Sequence, residues 1–518
     1  MKVTRPNVDR HDALAAHAAT LVERRGTTAR RNPSSSIGWR TRFVTVVSLR
    51  RIPALAAWVL TVLIAGELRA QDRTLITVQA TRTRQVFDGL GAGAIFYEGH
   101  ITSLAARNKN ELQEKLYDDM FTRVPQRYLQ LMIREIHEPQ NDNNDPYTPA
   151  FDDKNFEYCK HTVQIAKAAL KRQPEIQLYA TLYTPPSWMK TNNDPSGGGE
   201  SRATIKNGME LELAEYVWAF LAHMRKHDVP VQYLSIANEP DWPHTQPGYC
   251  LTAEKHAALV KTVGDYLDKM AKQFPDVPRA KLVGPNTLSA PGAAKDYVPL
   301  LLKRAAKHVD VIASHDYDPR GDRWGALRKL AGNRPVWLTE WCARKKDSSP
   351  GMINSATEYG VAMHDAFQGG ANVFLAYDWV YPPRDSGEAL IHVNWGNDYT
   401  LTKPYHLFRQ WAEPLQPGMR VVEVGVTGRA TDGVKPTAFL AADNRSLVVH
   451  LVNAQDRDAP ITLKLTGKFA TSTTADRTRT SATEDATALP ALTGTAGSFT
   501  DTLPARTMTT LRLEAAGK

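Results

Sequence analysis

The sequence predicts an α/β fold: a (β/α)8 TIM barrel with an attached β-sandwich domain. From about residue 74, apolar strand-like segments alternate with amphipathic helical segments, and roughly 330 residues hold eight such pairs. After residue 415 the pattern changes to short alternating strands separated by turn residues, which is typical of a β-sandwich. An open doubly wound sheet is the alternative, but it usually has fewer strands, and no Gly-rich first turn supports it.

The barrel strands are predicted from near-continuous apolar runs, as expected for strands buried on both faces. Amphipathic helical patterns separate these runs, and "PYHLFRQWAEPL" follows the last of them. The eight predicted strands cover residues 93–98, 128–135, 176–183, 231–238, 281–287, 309–317, 335–341 and 372–379.

The chain divides into three predicted regions. Residues 1–71 form a leader and signal peptide, and residues 85–414 form the catalytic barrel. Residues 72–86 and 415–518 together form the sandwich domain, because the strand-like run at 73–87 precedes the barrel and has no other predicted partner. We therefore expect that run to pair with the C-terminal strands.

Composition limits the class of protein. With 518 residues, 42% hydrophobic and 23% charged, the chain is long enough for two or three globular domains. The net charge is +9, but the leader alone contributes +8, so the remainder is nearly neutral and nucleic-acid binding is not expected. No cofactor and no metal are predicted. The three cysteines allow at most one disulfide and fit no zinc spacing, and their pairing stays open: Cys159, Cys250 and Cys342.

The leader resembles an export signal. Arginines precede the apolar run "IPALAAWVLTVLIAG" at 52–66, and Ala70 offers a small residue for cleavage. The run is too short for a comfortable membrane span, although an uncleaved anchor is the alternative. The polar, Arg-rich fifty residues before it are unusual for a signal and are consistent with a start codon assigned too early. We predict a secreted or periplasmic monomer with no stable membrane association after cleavage.

Two carboxylates stand at the predicted carboxyl ends of strands four and seven. "SIANEPDW" places Asn238 and Glu239 at one end, and "WLTEW" places Glu340 at the other. Active sites of such barrels lie at this face, so both side chains are expected in one mouth. Two carboxylates across one cleft, with aromatic neighbours, are what glycosidic bond cleavage requires.

These motifs resemble the clan A retaining glycosidases and, more particularly, glycoside hydrolase family 30. The resemblance extends to "FDGLGAGA" (87–94), "LYTPPSWMKTN" (182–192) and "LFRQWAEPLQPGMRVVEV" (407–424), and covers roughly residues 74–515 in the correct order. It implies a barrel with a side domain and a retaining mechanism without cofactors. Its members include glucosylceramidases, endo-β-1,6-glucanases and glucuronoxylanases.

The resemblance also implies roles for individual residues. Glu239 is the expected acid/base, Glu340 the nucleophile, Asn238 the partner of the sugar 2-hydroxyl, and Tyr317 a neighbour of the nucleophile. Four further substrate-binding residues are predicted only from their positions near strand ends: Arg134, Trp188, His315 and Trp379. Each of three residues also has a structural alternative: a core role for His315 and Trp379, and an ion pair for Arg134. A substrate contact is favoured for His315 because Tyr317 shares its strand end.

The sequence predicts a secreted retaining β-glycoside hydrolase that cleaves a poly- or oligosaccharide by double displacement. A non-catalytic carbohydrate-binding protein and another clan A enzyme, β-xylosidase or cellulase-like, are the alternatives. The sugar, its linkage and endo or exo action stay open. An acidic loop with no calcium-loop spacing is expected to be a solvated face: Glu135, Glu138, Asp142 and Asp145.

Overall fold

The computed structural model describes residues 73–515 except 151, 319–322 and 429–432. The predicted leader and its apolar run lie outside these residues. Within the described ranges, no helix has the length and apolar character needed to cross a bilayer. All three cysteines are buried and form no disulfide: Cys159, Cys250 and Cys342.

The predicted eight-stranded barrel is present and closed. One strand, β1 (Thr74–Val86), precedes it. The parallel barrel strands are β2 (Gly89–Gly93), β3 (Tyr128–Ile133), β4 (Gln177–Leu182), β5 (Tyr233–Ser235), β6 (Lys281–Thr287), β7 (Val309–Ser314), β8 (Val336–Trp341) and β9 (Val373–Ala376). They hydrogen-bond in sequence order, and β2 also pairs with β9, which closes the ring.

One long helix follows each barrel strand. In the described chain, the helices of eight or more residues are α1 (Asn110–Phe121), α2 (Cys159–Arg172), α3 (Glu210–Lys226), α4 (Ala253–Gln273), α5 (Val298–Ala305), α6 (Arg323–Ala331), α7 (Ile353–Gly369) and α8 (Lys403–Ala412). Capping residues in the sequence determine where two of these helices begin. The Thr252 side chain accepts the Lys255 N–H at the start of α4, and Thr402 accepts the Tyr405 N–H at the start of α8.

The first barrel strand differs from the prediction. The aromatic run at 93–98 was expected to form it, but β2 is the glycine-rich segment Gly89–Gly93. A side chain at Gly91 would collide with the Tyr128 carbonyl and the Leu375 side chain. Close approach of neighbouring strands therefore requires glycine here, although glycine has low intrinsic strand preference.

Aromatic rings fill the barrel below its carboxyl-terminal mouth. Trp337 on β8 is 1% exposed, and its ring centroid lies 4.5 Å from that of Tyr128 and 4.7 Å from that of Tyr233. Nearer the mouth, the Asn286 amide donates to the Ala237 carbonyl (3.2 Å) and accepts from the Thr339 hydroxyl. Asn286 thereby links β6 and β8 to the segment that follows β5.

A second, sheet-rich domain follows the barrel. Between β9 and α8 lies a small sheet of β10 (Val380–Tyr381), β11 (Ile391–Asn394) and β12 (Asp398–Leu401). The last strands are β13 (Arg420–Thr427), β14 (Val434–Leu440), β15 (Ser446–Asn453), β16 (Ala459–Leu465), β17 (Thr474–Thr480), β18 (Thr487–Thr495), β19 (Ser498–Leu503) and β20 (Thr507–Glu514). Their hydrogen bonds, with those of β1, run continuously round a ring. The predicted fold class is confirmed, with the edges of the expected sandwich joined.

Strand β1 belongs to this ring. It pairs antiparallel with β13, where Leu75 faces Thr427, and parallel with β16, where Thr74 faces Ile461. Ile76 has no exposed surface and packs into the core of the ring. We predicted a barrel over residues 85–414 and a side domain over residues 72–86 plus 415–518. These bounds stay a prediction, and the pairing of β1 supports it.

Helix α8 of the barrel contacts the ring of strands in the side domain. The Gln410 amide donates to the Met508 carbonyl (3.2 Å) and the Thr510 hydroxyl (2.9 Å), and it accepts from Thr480 (2.6 Å). The Trp411 ring stacks on His450 with centroids 4.3 Å apart. Stability of the two parts is therefore expected to be coupled.

We predict that Ile76→Ala lowers the free energy of unfolding by about 2–5 kcal/mol, because it leaves a cavity in the shared core. Denaturant unfolding measures this. Thr77→Ala, on the half-exposed face of the same strand, is the matched control and should change stability by less than about 1 kcal/mol. Equal stability of Ile76→Ala and the parent chain would contradict a structural role for β1.

Candidate active site

Two buried carboxyl groups meet at the carboxyl end of the barrel. Glu340 lies on β8 and is 6% exposed, and Glu239 follows β5 and is 7% exposed. His315, after β7, places its Nδ1 2.9 Å from Glu239 Oε1 and 3.7 Å from Glu340 Oε1. One oxygen of each carboxyl group and this nitrogen all lie within 4.8 Å of one another. The structure therefore brings together the two predicted catalytic residues and His315.

The backbone of Glu239 is held in an unusual conformation. Its φ of +44° lies in the left-handed region, which costs a residue with a side chain about 1–3 kcal/mol. Its N–H donates to the Asn286 carbonyl (2.9 Å), while its own carbonyl accepts from Trp242 N–H (3.0 Å) and His244 Nε2 (3.1 Å). These three hydrogen bonds fix the turn that aims the carboxyl group into the mouth.

Among the residues that the structure describes, tyrosine hydroxyls donate to only one of the two carboxyl groups. Tyr183 donates to Glu340 Oε2 (2.8 Å) and Tyr317 to Glu340 Oε1 (3.1 Å). Tyr317 was predicted as a neighbour of Glu340. Tyr183 is the last residue of the predicted strand 176–183, and no role was predicted for it. Its position at that strand end is the only sequence signal that points to it.

The two carboxyl groups consequently differ in how they hold a proton. Burial raises the pKa of both Glu239 and Glu340. At Glu340, His315 and the two tyrosine hydroxyls lower the pKa, while the charge of Glu239 raises it. At Glu239, the main influences that lower the pKa are His244 and Arg344. Since donated hydrogen bonds stabilise the charged form of a carboxyl group, the two tyrosines favour charge on Glu340.

His244 is a site residue that sequence reasoning missed. It is 2% exposed, and burial lowers its pKa, so the neutral ring donates through Nε2 to the Glu239 carbonyl. Side chains at Gly197 or Gly248 would collide with it. No sequence signal beyond its closeness to Glu239 indicates this role, because the contact depends on two loops meeting.

Two of the remaining predicted site residues, Asn238 and Trp188, lie outside the hydrogen bonds of the carboxyl pair. Asn238 is 5% exposed beside Glu239, and its Oδ1 is buried without a hydrogen-bond partner. Trp188 is half-buried and donates from Nε1 to the Glu138 carbonyl (2.9 Å). Neither makes a hydrogen bond to the carboxyl pair among the described contacts.

The other two positional predictions have different outcomes. Arg134 forms an ion pair with Glu98 at 2.8 Å, which is the structural alternative stated for it, and its place in the cleft wall stays a prediction. The prediction for Trp379 needs correction. Trp379 has no exposed surface, and its ring packs against Phe121 and Phe408. Its side chain therefore belongs to the core, because the chain turns inward after β9.

Two groups of side chains have ligand atoms close enough to hold a metal ion, within the ranges described. In the first, Glu239–His315–Glu340, both Glu340 oxygens already accept tyrosine hydroxyls. In the second, Asp265–Asp268–His308, Lys261 and Lys307 already bind Asp265 at 2.6 and 2.9 Å. The first arrangement suits proton transfer, and the second is a surface ion-pair network.

Comparison with known proteins identifies the barrel. The sequence model described as the glycosyl hydrolase family 30 TIM-barrel domain matches residues 101–345. Glucuronoxylanase XynC of Bacillus subtilis strain 168 is 22% identical over 301 residues, 57% of this chain and 64% of that protein. Putative glucosylceramidase 2 of Caenorhabditis elegans is 25% identical over 308 residues, 56% of this chain and 58% of that protein.

The same fold occurs in the catalytic domain of the family 30 xylanase C from Talaromyces cellulolyticus. Its solved structure has a TM-score of 0.68 and 17% identity, over 85% of this chain and 99% of that one. The chain spans about three fifths of the length of the two relatives matched by sequence. Residues 101–345 therefore match the TIM-barrel domain of glycosyl hydrolase family 30, as the sequence motifs predicted.

Proposed function

We propose that this protein is a retaining β-glycoside hydrolase that cleaves a poly- or oligosaccharide by double displacement. The observation that carries the proposal is the buried pair Glu239 and Glu340, which have oxygens within 4.8 Å of each other. Retaining pairs lie roughly 5–5.5 Å apart, whereas inverting pairs lie roughly 6.5–9.5 Å apart to admit a water molecule.

In the first step, the Glu340 carboxylate attacks the anomeric carbon while the Glu239 carboxyl group protonates the departing glycosidic oxygen. A glycosyl ester of Glu340 forms, and Glu239 is left ionised. In the second step, Glu239 takes a proton from water, the hydroxide oxygen attacks the anomeric carbon, and Glu340 is released as a carboxylate. Esterification removes the Glu340 charge, which lowers the pKa of Glu239 for its second role.

The surrounding residues support these roles. The unpartnered Oδ1 of Asn238 is available to accept from a sugar 2-hydroxyl, a contact that strengthens in the transition state. Tyr183 and Tyr317 donate hydrogen bonds that stabilise the ionised form of Glu340, and His315 lies close to both carboxyl groups. Trp188 and Arg134 remain proposals for the cleft wall, by position.

We propose a broad class of substrate, a poly- or oligosaccharide, and not a single sugar. The relatives are named for glucuronoxylan and glucosylceramide, which differ in sugar and aglycone. A reducing-sugar assay over four candidates separates them: glucuronoxylan, β-1,6-glucan, β-1,6-galactan and a glucosyl lipid. Binding to one of these without any released sugar would favour the alternative, a non-catalytic carbohydrate-binding protein.

The first prediction concerns the two carboxyl groups. Glu340→Ala should abolish hydrolysis of every substrate, because no other group is placed to attack. Glu239→Ala should cost about 10²–10⁴-fold on natural glycosides, but much less on aryl glycosides whose leaving group needs no proton. Azide should restore part of the second variant's activity as a β-glycosyl azide. The reverse assignment predicts the opposite products: a β-glycosyl azide from Glu340→Ala and an α-glycosyl azide from Glu239→Ala.

The second prediction concerns pH. Tyr183→Phe removes a hydroxyl that donates to Glu340, so the pKa of Glu340 should rise. Activity requires ionised Glu340, and the acid limb of kcat/KM should therefore move to higher pH, while the basic limb, set by Glu239, stays. Tyr297→Phe is the matched control, because the Tyr297 hydroxyl donates to the Leu251 carbonyl. Unmoved limbs with a uniform loss of activity would refute the role of Tyr183.

Export is part of the proposal, with a monomeric mature chain that starts near residue 71. It rests on the order of arginines, apolar run and Ala70 in the leader. N-terminal sequencing of protein recovered outside the cytoplasm tests it. A mature chain that begins before Arg51 would contradict cleavage at this site.

A further inference from the structure

A buried lysine lies beside the active site and takes no part in the proposed reaction. Lys190 follows β4 in the segment that leads to α3, and it has no exposed surface. Burial lowers the pKa of its ammonium group to about 8, so the group is still charged near neutral pH. An apolar side chain of similar size usually costs less in such a place. The charge of Lys190 therefore calls for an explanation other than packing.

Four oxygen atoms surround this ammonium group. Nζ donates to the carbonyl groups of Gly248 (2.6 Å), Ser196 (2.7 Å) and Pro195 (2.8 Å). It also lies 3.0 Å from the Thr184 hydroxyl. An ammonium group has three N–H donors, so these neighbours can use all of them. Each of the four acceptors is neutral, and Lys190 therefore joins peptide segments instead of balancing an acid.

The acceptor carbonyls belong to two loops that pair with each other. Residues 195–199 follow β4, and residues 244–250 follow β5. Between these loops, the Gly197 N–H donates to the Gln246 carbonyl (2.9 Å), and the Gly199 N–H donates to the His244 carbonyl (2.8 Å). Removal of the ammonium group would take a hydrogen bond from each of three carbonyl groups that converge on one point. We expect this loss to loosen the pairing of the loops.

The paired loops hold the ring of His244. A side chain at Gly197 or Gly248 would collide with His244, so the loops lie directly against it. The Gln246 amide nitrogen lies 3.3 Å from His244 Nδ1, and His244 Nε2 donates to the Glu239 carbonyl at 3.1 Å. The position of the loops therefore determines the position of His244, and His244 holds the left-handed turn at Glu239.

We propose that Lys190 is a positioning residue for Glu239, and that it acts through the paired loops and His244. This inference rests on the proposed function, because it takes Glu239 as the proton donor. The nucleophile is held by different groups, since Tyr183 and Tyr317 donate to Glu340. Loss of the ammonium group should therefore impair proton donation more than nucleophilic attack.

Lys190→Met tests the proposal, because it keeps an apolar stem of similar length and removes the ammonium group. The measured quantity is kcat/KM, which reports on formation of the glycosyl ester, for a natural glycoside and for a dinitrophenyl glycoside of the same sugar. The natural glycoside should lose up to about 10²-fold, as expected for a displaced catalytic group. The dinitrophenyl glycoside should lose at least about tenfold less, because dinitrophenolate departs without a proton. Equal losses on the two substrates would overturn the role of Lys190.

Lys403→Met is the matched control. Lys403 is also a buried lysine, and its ammonium group donates to the Glu484 carbonyl (3.1 Å) and to Asp485 Oδ1 (2.5 Å) in the side domain. This variant should lower the melting temperature and reduce kcat/KM for the two substrates by the same factor, if it reduces it at all. A selective loss on the natural glycoside in Lys403→Met would show that removing any buried lysine has this effect, and it would contradict the proposal.

Gly248→Ala disturbs the same path while keeping the ammonium group, and it covers the case in which Lys190→Met does not fold. The added Cβ would lie 2.7 Å from Cγ of His244, so the ring must move. The same selective loss on the natural glycoside is expected, and equal losses would overturn the path through His244. Glu239→Ala is the reference: if it shows no selectivity, the proposed function fails. If Glu239→Ala is selective and Lys190→Met is not, only the role of Lys190 fails.

Discussion

Two carboxyl groups that are almost wholly withdrawn from water, close enough to repel each other, constrain the rest of the active-site structure. Burial and repulsion both favour protonation, and a symmetrical environment would leave the pair without distinct roles. The asymmetry comes from Tyr183 and Tyr317, which donate to Glu340 and not to Glu239. These two hydrogen bonds favour the charged form of Glu340 and are not matched by any tyrosine at Glu239 among the described contacts.

Backbone hydrogen bonds of the barrel hold the two carboxyl groups in fixed relative positions. Glu239 occupies a left-handed backbone conformation that is stable only because Asn286 and His244 hold both sides of the peptide. Asn286 in turn is tied to β8 through Thr339, one residue before Glu340. A shift of either strand end would thus disturb both carboxyl groups, and the aromatic layer around Trp337 resists such a shift from below.

The sequence was informative where periodicity and position decide the outcome. A parallel barrel directs its strand ends to one mouth, so Glu239, Glu340, His315 and Tyr317 were predictable as neighbours once the strands were assigned. The first strand was misplaced because close backbone approach at Gly91, not side-chain preference, determines β2. Likewise, the burial of Trp379 depends on how the chain turns after β9, and local sequence carries no information about that turn.

Contacts between loops were not predictable for a related reason. Side chains at Gly197 or Gly248 would collide with His244, which donates to the Glu239 carbonyl. In the acidic loop, Glu138 is 8% exposed although a solvated face was predicted, whereas Asp142 and Asp145 are exposed as predicted. These arrangements join segments that are far apart in sequence or lie in irregular structure. Helical and strand periodicities do not encode them.

We propose that the unequal pair acts by double displacement. Proton NMR of the anomeric signal of the first sugar released, recorded before mutarotation, tests this directly. A retaining reaction gives a β-configured initial product from a β-glycoside. An α-configured initial product would show that water attacks directly, and it would contradict the assignment of Glu340 as nucleophile.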